Sequence, residues 1–164
     1  MRILVLGVGN ILLTDEAIGV RIVEALEQRY VLPDFVEILD GGTAGMELLG
    51  DMANRDHLII ADAIVSRKNT PGTIMVLRDD EVPALFTNKI SPHQLGLADV
   101  LSALRFTGEF PKKLTLVGVI PESLDPNIGL TPTVEAMIEP ALAQVLAALR
   151  ESGVDALPRE AAHV

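Results

Sequence analysis

The run Ile3-Leu-Val-Leu-Gly-Val8 constrains this chain most. It is continuously apolar, contains β-branched residues and shows no polar alternation, the pattern of a strand covered on both faces. A glycine turn ends it. Downstream, Asp15 and Glu16 open a helix in which Ile18, Ile22, Ala25 and Leu26 recur at helical spacing to about Arg29, opposite Arg21, Glu24 and Gln28. Phe35 to Leu39 gives a second short strand stopped by Asp40-Gly41-Gly42, after which Thr43 can cap a helix through about Met52. His57 to Ala63 is a third, strongly apolar strand. Thr73 to Leu77 follows a Pro71-Gly72 turn and is expected as an antiparallel neighbour returning beside the third strand, because too few residues separate the two for a helical crossover. Ser91-Pro92 has the chemistry of an N-cap and a first helical position, giving a helix from Pro92 to Leu104. Leu114 to Ile120 is the fifth strand. Thr131-Pro132 opens a last helix with Val134, Ile138, Leu142, Val145 and Leu149 on one stripe, interrupted at Pro140. The tail from about Ser152 is expected to fray. Strands alternating with helices imply a three-layer α/β/α sandwich on a twisted, mainly parallel but mixed five-stranded sheet, whose sites form beyond the carboxyl ends of the strands.

At 164 residues, with 49% apolar residues, the chain suits one domain spanning 1–164 and excludes intrinsic disorder. The 23 acidic residues outweigh 13 basic ones, and the net charge of −10 repels phosphate backbones and anionic lipid, so nucleic acid is not an expected partner. The absence of cysteine removes disulfides, thiolate nucleophiles and thiolate metal sites, and suits a reducing cytoplasm. No stretch approaches the ~18 uninterrupted apolar residues of a membrane span. A soluble cytoplasmic monomer is the expectation.

The loop Gly7-Val8-Gly9-Asn10-Ile11-Leu12 sits where a dinucleotide fingerprint belongs, but Leu12 occupies the third glycine's place and Asp40 lies too far along for the ribose acid. A nucleotide-binding domain is therefore the weaker alternative. In the same loop, Ile11-Leu12-Leu13 either forms a docking surface or folds back onto the core. Glu16 stands just past the first strand, where an acid could simply complement a helix dipole. Asp62 ends the third strand, where a buried carboxylate demands compensation by an amide cluster, an arginine or a metal ion. His93 lies at a helix start. Two carboxylates and one imidazole converging at one sheet edge make an open site for a divalent ion such as zinc or nickel. The turn Asp40-Gly41-Gly42-Thr43 falls on the same edge and could admit an extended peptide, or serve only as a strand-to-helix turn. There is no G-x-S-x-G elbow, no H-E-x-x-H and no cysteine, so a metal or bare-carboxylate mechanism is the chemistry left.

Taken in order and spacing, Leu6-Gly-Val-Gly-Asn-Ile-Leu-Leu-Thr-Asp-Glu16 with Gly19, Asp40-Gly-Gly-Thr43, Asp62-Ala63, Ser91-Pro-His93 and Gly129-Leu-Thr-Pro132 resemble the hydrogenase maturation endopeptidases over nearly the whole chain. The resemblance implies a protease that removes a short C-terminal extension from the precursor of the nickel-iron hydrogenase large subunit after nickel insertion. The family's metal-contacting residues fall on Glu16, Asp62 and His93, and its fold is a twisted, mixed five-stranded sheet with the Asp40 turn near the site. Two carboxylates and an imidazole are too few strong ligands to retain nickel permanently. The ion is therefore expected to arrive with the substrate, and other divalent metals could substitute. A non-catalytic module that checks for nickel would use the same ligands.

Overall fold

The computed structural model describes residues 1–66, 68–87 and 92–159, without the side chains of Thr87, Pro92 and His93. In chain order its elements are β1 (Ile3–Val8), a 3₁₀ turn (Thr14–Ala17), α1 (Ile18–Arg29), β2 (Tyr30–Val31), β3 (Val36–Gly42), a second 3₁₀ turn (Met46–Leu48), α2 (Leu49–Met52), β4 (His57–Ala63), β5 (Ile74–Arg78), α3 (Glu81–Thr87), α4 (Pro92–Thr107), β6 (Lys113–Val119), α5 (Pro132–Glu135), α6 (Ile138–Glu151) and β7 (Leu157–Pro158).

Every residue of β1 and β4 is buried, as unbroken apolar runs require. The sheet order is β3-β1-β4-β6-β5. The β1, β3, β4 and β6 strands run parallel, and β5 runs antiparallel to β6. Alternate side chains feed two cores. Ile3, Val5, Ile59, Ala61 and Val117 meet α1 and α6 on one face, while Leu4, Leu6, Leu58, Ile60 and Leu116 meet α2, α3 and α4 on the other. This is the expected three-layer, mixed five-stranded sandwich.

Several local expectations change. The antiparallel strand returns beside β6, with Ile74 opposite Val119 and Arg78 opposite Thr115, because β6 takes the free edge of β4 in an unbroken parallel register from His57–Lys113 to Ala63–Val119. Crossing one extra strand spans only about 10 Å, which the connection after β4 covers easily. Thr43 caps nothing: β3 runs on through Gly42, and the following 3₁₀ turn starts after Gly45 with no side-chain cap. Pro140 does not interrupt a helix. It sits in the first turn of α6, where its missing N–H is tolerated, and the break falls earlier, between α5 and α6. In the described part of the tail beyond Ser152, Val154 is buried and β7 pairs antiparallel with β2. Among the described residues no helix is long and apolar enough to cross a membrane.

Candidate active site

Parallel pairing sets Gly7 opposite Ala61, so β1 and β4 end together and deliver Val8 and Asp62 to one edge of the sheet. Asp62 shares the sheet face of Leu58 and Ile60, under α4, and is fully buried. Its Oδ1 accepts the Ala63 amide N–H at 2.8 Å. Its Oδ2 accepts the side-chain amide of Gln94 at 2.9 Å, and the same Gln94 nitrogen reaches the Ala63 carbonyl at 3.0 Å. Each oxygen of the buried carboxylate thus has an N–H donor, which offsets part of its desolvation.

Glu16 belongs to the 3₁₀ turn that precedes α1 and is half-buried. Its Oε1 accepts the Asn10 backbone N–H at 3.3 Å. Two glycines bring this turn to the strand ends. A Cβ on Gly9, whose φ is +138°, would lie 1.9 Å from the Glu16 carbonyl oxygen. A Cβ on Gly19 would lie 2.1 Å from the Ala61 carbonyl oxygen and 2.5 Å from that of Val8. The glycines therefore let backbone pack on backbone, a role unrelated to cradling a pyrophosphate.

Asp15 holds the arrangement from beneath. It is fully buried. Its Oδ2 accepts the amides of Glu122 and Ser123 at 2.8 and 3.0 Å. Its Oδ1 accepts the Thr131 amide at 2.8 Å, and the Thr131 hydroxyl donates within reach of both oxygens. The neighbouring Thr14, in the left-handed region at φ 50°, donates its hydroxyl to the Asp125 carbonyl and its amide to the Asn127 carbonyl at 2.9 Å. Asn127 in turn donates to the Leu12 carbonyl at 3.0 Å, and a parallel bridge joins Leu13 to Asn127. The loop carrying Glu16 and the segment after β6 are thereby locked together.

His93 is the second residue of α4, one position before Gln94. Its side chain, and Ser91 altogether, lie outside the described residues. Among the described residues no three His, Cys, Asp or Glu side chains group as a metal site. The Asp40 turn ends β3, two strands from β4. The Asp40 side chain lies on the opposite sheet face from Asp62: it lines a groove with Val23, Glu24, Glu27, Gln28 and Ile38, and its Oδ1 accepts the Gly42 amide at 2.9 Å. Gly41 faces the Leu6 and Leu48 side, and Thr43 is exposed. In the glycine loop Ile11 and Leu12 are 42% and 55% exposed while Leu13 is half-buried, so the first two present a surface and only the third folds inward.

Gln94 and Asp15 were absent from the sequence-derived set, although each stands on an apolar helical stripe. Gln94 precedes Leu97, Leu101 and Leu104, and Asp15 precedes Ile18 and Ile22. A polar side chain on such a stripe is buried and must find partners. His57, at the far end of β4, stands apart from this site. It is buried between Ser152 Oγ, 2.7 Å from Nδ1, and Thr115 Oγ1, 2.8 Å from Nε2. Burial, then the Lys113 charge, pushes its pKa below 6.5.

Residues 20–148 match the family model described as hydrogenase maturation protease. The sequence is 92% identical over 163 residues to the hydrogenase 2 maturation protease of Escherichia coli (strain K12), spanning 99% of each chain. It is 49% identical over 161 residues to the hydrogenase expression/formation protein HupM of Azotobacter chroococcum mcd 1, spanning 97% of this chain and 77% of that protein. The solved structure of the hydrogenase maturating endopeptidase HybD from Escherichia coli matches with a TM-score of 0.96 at 92% identity, covering 98% of this chain and 99% of the other.

Proposed function

Because this chain belongs to the hydrogenase maturation protease family, we propose that it cuts a C-terminal extension from the nickel-loaded precursor of a nickel-iron hydrogenase large subunit. In this reading the substrate's own nickel is recognised by Glu16, Asp62 and His93, and the enzyme works as a cytoplasmic monomer. One observation carries the reading: Asp62 is a fully buried carboxylate at the carboxyl edge of the sheet, fixed by N–H donors on both oxygens. A carboxylate held that way is preorganised to bind a cation or to accept a proton.

The reaction is hydrolysis of one peptide bond. Water adds its oxygen to the scissile carbonyl carbon, the C–N bond breaks, and the proton taken by Asp62 or Glu16 passes to the leaving amine. The nickel ion belongs to the substrate, whose thiolates complete its ligand shell, and it anchors the segment to be cut. Precursor lacking nickel loses that anchor and binds more weakly, which couples cleavage to metal loading. Another divalent ion in the same substrate position would serve less specifically. The turn Asp40 to Thr43 ends β3 at the same edge, and its backbone, rather than the Asp40 carboxylate on the opposite face, would meet an extended peptide leaving the site.

The test mixes purified protein with nickel-loaded and nickel-free precursor and follows the shortened product by mass spectrometry. Cleavage of the loaded form alone is expected, and so is its loss in Glu16→Ala, Asp62→Ala and His93→Ala variants that keep a cooperative thermal transition. Efficient cleavage of nickel-free precursor removes the recognition mechanism. Normal processing by all three variants removes the residue assignment. A shortened precursor with no other protein present rules out a purely non-catalytic checkpoint.

A further inference from the structure

Resting on the reading above, we infer that Ile11, Leu12, Leu124 and Ile128 form the platform on which the folded body of the protein substrate docks, through an apolar face of that substrate fringed by lysine and arginine. Leu12 and Ile128 are 55% and 69% exposed, and Ile11 and Leu124 are also exposed. Leu12 and Ile128 are neighbours, and Ile11 and Leu124 belong to the same two segments. Leu12 and Ile128 flank the bridge between Leu13 and Asn127, which the Asn127 amide closes onto the Leu12 carbonyl. Exposed leucine and isoleucine in a mobile loop would collapse onto the nearest apolar surface. Here the Asp15 carboxylate and the Thr14 hydroxyl hold both segments in place, so the side chains stay presented to solvent.

Two observations identify the occupant. The platform is continuous with the candidate active site: Leu12 N donates to Asn10 Oδ1, and Asn10 N donates to Glu16 Oε1. A protein whose peptide bond reaches Glu16 must lie across this loop. The two segments that form it carry charge of one sign. Segments 9–16 and 121–131 present Glu16, Glu122 and Asp125 to solvent and contain no lysine or arginine, so a complementary partner surrounds its apolar face with bases. Buried apolar anchors with a charged rim are the usual division of labour at such interfaces.

The test uses full-length protein and nickel-loaded precursor, and measures binding by interferometry and cleavage by mass spectrometry. Leu12→Glu and Ile128→Glu, both at exposed positions, should leave the thermal transition unchanged, weaken binding by about tenfold or more, and lower kcat/KM with kcat at saturation retained. Phe106→Glu, at a residue 93% exposed near the end of α4, serves as the control and should change nothing. Association should slow as ionic strength rises. Wild-type binding and cleavage matched by both Glu variants would overturn the platform while leaving the protease reading intact. If wild-type protein binds precursor without cutting it, the protease reading fails and the platform is still decided by the binding ratio. No wild-type binding removes both. A wild-type dimer that Leu12→Glu converts to monomer would make the occupant a second copy of this chain and overturn the assignment.

Discussion

Replacing Asp15 by alanine should destabilise the protein more than any other single change at the sheet edge. The substitution leaves the amides of Glu122, Ser123 and Thr131 without their acceptor and frees the Thr131 hydroxyl, all around a fully buried position. Stranding a buried donor costs about 1–3 kcal/mol, and three amides lose their acceptor together, so the loss should reach about 3–5 kcal/mol. That is a large fraction of the ~5–15 kcal/mol that holds a domain folded. At about 2–4 °C per kcal/mol for a chain of this size, the melting temperature should fall by roughly 6–20 °C. The isosteric change Asp15→Asn would not restore it, because the carboxamide turns an NH₂ group toward amides that are themselves donors. Urea titration at pH 7 gives the free energy, and hydrogen exchange at Glu122, Ser123 and Thr131 reports the local release. A loss under about 1 kcal/mol in Asp15→Ala, with those amides still protected, would refute the claim that this carboxylate holds the two loops together.

Gln94→Leu keeps a side chain of similar bulk but strips the donor from Asp62 Oδ2 and from the Ala63 carbonyl. It should cost about 1–3 kcal/mol and depress kcat at least as strongly as KM changes; a wild-type kcat would remove Gln94 from the site. Gly19→Ala drives a methyl to 2.1 Å from the Ala61 carbonyl oxygen, and overpacking against backbone should cost up to about 3 kcal/mol, read from the urea midpoint. Acidification tests His57. Its folded pKa is depressed by burial, so between that value and 6.5 the unfolded chain binds more protons, and stability falls as pH drops below about 6.5. The slope contributed cannot exceed about 1.4 kcal/mol per pH unit, and it should vanish in His57→Gln; identical pH profiles for the two proteins would contradict it.

The strands and the sandwich were legible because β1, β4 and β6 are buried on both faces, and burial of that kind leaves an uninterrupted apolar signature. The partner of β5 was not, because loop length sets which strand can be reached but not which edge is vacant. Caps were legible where a side chain does the capping, as at Thr131, whose hydroxyl accepts the Val134 amide. They failed at Thr43, where the backbone of β3 simply continues. Within the site, Glu16 and Asp62 were visible as acids at strand ends. Asp15 and Gln94 were hidden because their partners, Thr131 and Asp62, lie 116 and 32 positions away. A polar residue on an apolar stripe announces that it has partners without naming them.

The insertion of β6 between β4 and β5 also orders events during synthesis. When Ile74–Arg78 leaves the ribosome, the strand that will receive it has not been made, and the edge of β4 beside it is reserved for Lys113–Val119. The nascent β5 must therefore wait without a lasting ladder until about 40 more residues follow, a delay of a few seconds at about 5–20 residues per second. For that interval the half-built sheet exposes two unpaired strands, so a chaperone that shields them, or a slowed elongation rate that prolongs the gap, should alter the yield of folded enzyme more than its final stability.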